Sequence, residues 1–207
     1  MKFNSNALLE GLQADVRQLI LTTLYLQKED PELLLTTPVP GKWSVVQVLE
    51  HLNSYGRYYL PAIGRSLQSK TISKENFTPG WFGNYFTRIM KPGADGKIGN
   101  KMSAPKNHRP SAQLDLKPVV DEFISQQQQL LGLLDKAKQK NIGAIRTPIS
   151  ISRFIKLKVG DTFRFLIAHQ QRHFVQIANT VAEVQRVTGK FQSIPQAIQR
   201  SRVFLHD

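Results

Sequence analysis

Apolar residues recur every three or four positions along four long stretches of the chain, the spacing that gathers one face of an α-helix. In residues 5–27 the stripe is Leu8, Leu9, Leu12, Val16, Leu19, Ile20, Thr23 and Leu24, and Pro31 bounds it. A polar, proline-containing link over 28–42 leads to the second helix. Ser44 and Gln47 mark its start, because each side chain can accept the other's backbone N–H. The stripe continues through Val48, His51, Leu52, Tyr55, Tyr58 and Tyr59 towards Leu67, and Pro61 is predicted to kink this helix rather than end it.

Residues 71–112 hold Pro79, Gly80, Gly83, Pro92, Gly93, Gly96, Gly99, Pro105 and Pro110, too many breakers for one continuous element. A short aromatic helix over 81–89 fits inside this stretch, which reads either as a lid or binding loop or as a surface excursion. A third helix is predicted from Asp115, with Pro118 in its first turn, and fades at 136–140. Residues 147–159 alternate partially and read as an extended segment or a strap across the other elements. Asp161 is expected to cap a fourth helix over 162–187, and a last short helix is predicted over 193–202. The sum is an all-α protein, a four-helix bundle with a long loop between helices two and three and a short C-terminal helix. Spacing alone leaves up-down and crossover connections open.

At 207 residues this is one domain, with a core over about 5–187, an irregular insertion at 71–112 and an extension at 188–207. There is no cysteine, which excludes disulfides, thiolate metal sites and a cysteine nucleophile. No apolar run approaches the ~20 residues needed to span a bilayer. The expected setting is cytoplasmic. The formal charge is +13, unevenly spread: residues 1–134 hold 15 basic and 11 acidic side chains, residues 135–207 hold 13 and 4. Such a field attracts anions without specifying a fold.

Without cysteine, a metal must be held by imidazole or carboxylate. Of the five histidines, His108 lies in the breaker-rich loop and His206 at the C-terminus, both poor positions for a ligand. His169 and His173 are four apart in HQQRH and project from one helix face. His51 lies on the apolar side of helix two and can complete the set if helices two and four pack together. The competing reading is that each imidazole is a hydrogen-bonded core residue. Gln170 stands where HExxH metalloproteases carry their general base, which argues against that mechanism.

The stretch from Lys42-Trp43-Ser44 to Glu50-His51-Leu52, with the HQQRH of the fourth helix, resembles the DinB/YfiT-like superfamily. There a W-S-x-x-x-x-x-x-H-L stretch opens helix two, and an H-x-x-x-H in the last bundle helix completes a three-histidine metal site. The resemblance implies an up-down-down-up bundle, a homodimer, and His51, His169 and His173 as ligands of a divalent ion, zinc or nickel first, iron or manganese next. It further implies a metal-dependent thiol S-transferase or hydrolase, with a low-molecular-weight thiol as a cofactor or substrate. Three neutral imidazoles leave a coordination position open, as catalytic sites do. Tyr55 reads equally as a pocket residue or a core aromatic, and Trp43 as packing between helices. Glu50, Asn53 and Gln170 are weaker candidates for orienting the imidazoles.

Two other functions compete. A non-enzymatic interaction bundle would keep the triad for stability. A nucleic-acid module would use the basic last third, but no zinc finger or RNA-recognition motif accompanies the charge. The expected partner is therefore a small molecule, anionic or thiol-bearing, and neither a specific nucleic acid nor a membrane.

Overall fold

The first helix is capped by Asn4, whose side chain accepts the backbone N–H of Ala7 at 3.0 Å. Asn4 also ends strand β1 (Phe3–Asn4), so strand and helix α1 (Ser5–Leu26) join without a loop. The computed structural model describes residues 1–93, 98–99 and 102–189, the side chain of Arg153 excepted. The helix expected over 193–202 and His206 lie outside the described residues.

In the 28–42 link, Pro31 starts a helix as well as bounding one. It occupies the first turn of α2 (Pro31–Leu35), capped by Asp30 through the Glu32 N–H at 2.9 Å. Helix α3 (Val45–Ser66) opens on the reciprocal Ser44/Gln47 pair, at 3.0 and 3.4 Å, and runs through Pro61 as predicted. Within 71–112 the chain forms β2 (Asn76–Phe77), α4 (Trp81–Met90) and a 3-10 turn at Lys106–His108. Asp115 stands at the N-cap of α5 (Leu116–Ala137), although its side chain makes no capping bond.

The chain is mostly helical, as expected, with two small sheets: β1 pairs antiparallel with β2, and the segment after residue 146 takes the extended option. It forms a hairpin of β3 (Arg146–Ile149) and β4 (Ser152–Lys158), which buries Thr147, Ile149 and Leu157. One expectation is corrected: Asp161 does not cap the last helix, because α6 (Val159–Thr188) begins two residues earlier. Its fully buried carboxylate instead accepts the Gly80 N–H at 2.7 Å and an Arg164 N–H at 3.2 Å, tying α4 to α6. At its far end α6 stops on Gly189, whose φ of 68° suits a residue without Cβ.

The four long helices surround two apolar clusters. Leu9, Tyr59, Ile63, Leu130 and Phe163 centre one, and Leu19, Leu49, Leu52, Phe123 and Phe174 the other. Each fully buried Leu or Phe contributes about 1.5–3 kcal/mol relative to exposure. Helix α3 packs on α5 and α6, α1 packs on the same two, and α4 lies on α6. Polar ties fix the register. Asn53 donates to the Val119 carbonyl at 2.9 Å, Arg57 to Glu122 at 2.7 Å, Gln27 to Asp121 at 3.5 Å, and Lys138 lies 3.9 Å from Glu10. No helix among the described residues is long and apolar enough to cross a membrane.

Candidate metal centre

His51, Tyr55 and Tyr59 stand one turn apart on α3, and Phe165, His169 and His173 one turn apart on α6. Packing of α3 on α6 sets these rows against each other. The His51 ring centroid is 4.6 Å from that of His173 and 5.3 Å from that of His169. Tyr55 is 4.5 Å from His169, and Tyr59 is 6.0 Å from Phe165. The three predicted histidines therefore meet at one end of a shared aromatic row. One ring nitrogen from each lies within 4.8 Å of the others, a spacing that can hold a metal ion.

The outer ring nitrogens have their own partners. His51 Nδ1–H donates to the His108 carbonyl at 2.7 Å, and His173 Nδ1–H to Gln176 Oε1 at 2.8 Å. These bonds leave Nε2 as the lone-pair nitrogen of both rings. Nε2 of His169 lies 3.0 Å from Nε2 of His173, so two inward-facing nitrogens converge where a cation or a proton must sit between them. Nδ1 of His169 is buried without a hydrogen-bond partner among the described residues.

Burial also sets the protonation state. Desolvation, offset only partly by the bond to His108, lowers the His51 pKa to about 4. His173 falls to about 3, through desolvation first and the neighbouring His51 second. His169 is held well below the usual imidazole value by burial and then by His173 and His51. At neutral pH all three are uncharged, the form that binds a metal. Desolvation pushes Tyr55 the other way, up to about 12, so its phenol keeps its proton.

The other sequence candidates fall differently. Tyr55 lines the site, and Trp43 does more than pack between helices, since its ring lies 5.0 Å from that of His51 and borders the cavity. Glu50 pairs with Arg57 at 2.7 Å and Asn53 bonds Val119, so neither orients an imidazole. Gln170 is buried, with its Oε1 unpartnered among the described residues. His108, expected to be a poor ligand, is no member of the cluster, yet its ring is 4 % exposed, stacks on Tyr55 at 3.9 Å and donates from Nδ1 to Ser54 Oγ at 2.9 Å. Gln176, three residues from His173, could have been found from helical spacing. The partnership of His51 with a residue 57 positions away had no local signal.

A cavity of about 590 Å³ opens over the cluster, within the usual range for small-molecule sites. Tyr59, Phe86, Met90, Ile149, Leu157 and Phe165 line it together with the triad, Trp43 and Tyr55. Lys42, Arg109 and Arg172 bring positive charge to its wall, and no carboxylate is found among its described lining residues.

Residues 8–177 match the sequence profile of the DinB superfamily. The chain belongs to this superfamily. No curated protein and no solved structure matches it. The matched span of this DinB protein contains His51, His169 and His173, so family and cluster rest on the same part of the chain. The donor set fits a divalent ion on its own chemistry: three neutral imidazoles converge, two with fixed tautomers, at the edge of a cavity that leaves room for a further ligand.

Proposed function

We propose that this DinB protein is a divalent-metal-dependent enzyme acting on a small molecule, with His51, His169 and His173 as the protein ligands and zinc or nickel as the ion. The observation that carries the reading is the convergence of three uncharged imidazoles on one side of a 590 Å³ cavity. A divalent ion there would supply Lewis acidity, making water or a small thiol nucleophilic at neutral pH. The chain's own contribution is positional. His108 and Gln176 hold two rings in their metal-binding tautomers, and Trp43 and Tyr55 flank His51. Tyr55, protonated at neutral pH, is available to hydrogen-bond a substrate oxygen or sulfur.

Activation of the nucleophile would rest on the ion itself, which lowers the pKa of a bound thiol or water without help from a protein base. An external thiol also suits a chain without cysteine. The protein is accordingly read as a cytoplasmic S-transferase using a low-molecular-weight thiol.

The scaffold is read as an up-down-down-up bundle. Contacts of Asn53 with Val119 and of Gly64 with Leu133 suit α3 and α5 running the same way. The Gln27–Asp121 and Glu10–Lys138 contacts suit α1 running opposite to α5, and the facing aromatic rows suit α3 running opposite to α6.

The test is thiol consumption. Zinc- or nickel-loaded protein should accelerate the loss of a small thiol in the presence of an electrophile, and His169→Ala should abolish this. Metal binding that raises thermal stability without turnover across a broad panel of thiols and electrophiles would favour a structural role instead.

A further inference from the structure

The cavity is polarised along its length. Lys42 precedes Trp43, whose ring lies against His51. Arg109 follows His108, whose carbonyl holds His51, so the backbone sets Lys42 and Arg109 beside the triad in the cavity lining. Arg172 also lines the cavity, with its guanidinium donating to the carbonyls of Ile89 and Gly99 at 3.4 and 2.9 Å. The other end is apolar, with Tyr59 against Phe165 at 6.0 Å, Phe86 against Phe165 at 6.2 Å, and the hairpin adding Ile149 and Leu157. A small, fully polar substrate would leave this apolar end filled with poorly bonded water. A neutral apolar one would leave the positive end unused.

We infer that the site takes an amphipathic anion, with a carboxylate or comparable anionic group beside the triad and an aryl or short alkyl body between Tyr59, Phe86 and Phe165. The inference rests on the metal-centre reading for which end reacts, but the polarity of the walls belongs to the chain alone. Apolar burial sets the affinity and the cations set the orientation, which brings the functional groups near the anion to the reacting end. The +13 charge of the chain acts in the same sense by drawing anions to the protein.

Titration calorimetry with butyrate, phenylbutyrate and phenylbutanol tests this, on the full chain both metal-free and zinc-loaded. Phenylbutyrate should bind more tightly than butyrate by on the order of tenfold or more, because the added ring is buried. It should also bind more tightly than phenylbutanol by about three- to tenfold, the worth of partly exposed charges. Phe86→Ala should narrow the first difference, and Lys42→Ala with Arg109→Ala the second. Thermal melts establish that each variant is folded, and Leu157→Ala replaces Phe86→Ala if that chain is not. Equal binding of butyrate and phenylbutyrate, or of the alcohol and the acid, would overturn the inference. Zinc content of the same samples separates the two ideas. Discrimination without zinc binding removes the metal reading alone, and zinc binding without discrimination removes this one alone.

Discussion

His51 donates its Nδ1–H to the carbonyl of His108 at 2.7 Å, so a backbone atom 57 residues away fixes which nitrogen of His51 faces the site. The His108 ring anchors that carbonyl by bonding Ser54 and stacking on Tyr55. His108→Ala or Ser54→Ala should therefore loosen His51 without removing a ligand. Gln176→Ala should do the same to His173. Each is expected to lower zinc affinity by about tenfold or more, the usual worth of a group that orients a metal-binding imidazole. Competition against a chromogenic chelator measures this, and wild-type affinity in all three variants would contradict the orienting role.

Acid should destabilise the metal-free protein. His51 and His173 have folded pKa values of about 4 and about 3, against roughly 6.5 when unfolded. Between these values the unfolded chain holds protons that the fold does not, so stability rises with pH. The contribution is complete above about pH 6.5 and is lost as pH falls towards 4 and then 3. Urea melts at pH 7.5 and pH 5 should differ by roughly 2–4 kcal/mol, and His51→Leu with His173→Leu should flatten the difference. Equal stability of the wild type at both pH values would show that the rings are not buried as described.

Packing of α4 on α6 should tolerate no side chain at residue 83. A Cβ on Gly83 would overlap Asp161, whose carboxylate is held by the Gly80 N–H and Arg164. Gly83→Ala is expected to cost about 1–3 kcal/mol by overpacking. Asp161→Ala should cost more, about 3–5 kcal/mol, because it takes the neutralising carboxylate from buried Arg164, whose guanidinium keeps only Asn84 Oδ1 and the Phe3 ring. Pairing it with Arg164→Met should recover part of that loss. Denaturant melts measure all three, and a double variant less stable than Asp161→Ala would contradict this account of the pair.

What could be read from the sequence was what is local. The Ser44/Gln47 cap, the α1 stripe and the HQQRH spacing are each set by residues within one or two turns, and each stands where the pattern placed it. His51 joined the pair because its helix face and motif pointed the same way. An acidic residue before an apolar run has the form of a cap, but Asp161 bonds Gly80 and Arg164, and Gly80 lies 81 positions away. The breakers around His108 mark a loop, and only packing on Tyr55 shows that its ring is buried. The hairpin wall is not decided by sequence, because short alternating runs fit both an extended strand and a strap.

Anomalous scattering from crystals of the protein loaded with zinc or nickel tests the central claim most directly. The account predicts one strong peak, bonded to Nε2 of His51, His169 and His173, facing the cavity and lost in crystals of His169→Ala. Absence of a peak at the three rings in fully loaded crystals, or a peak held elsewhere in the chain, would contradict it.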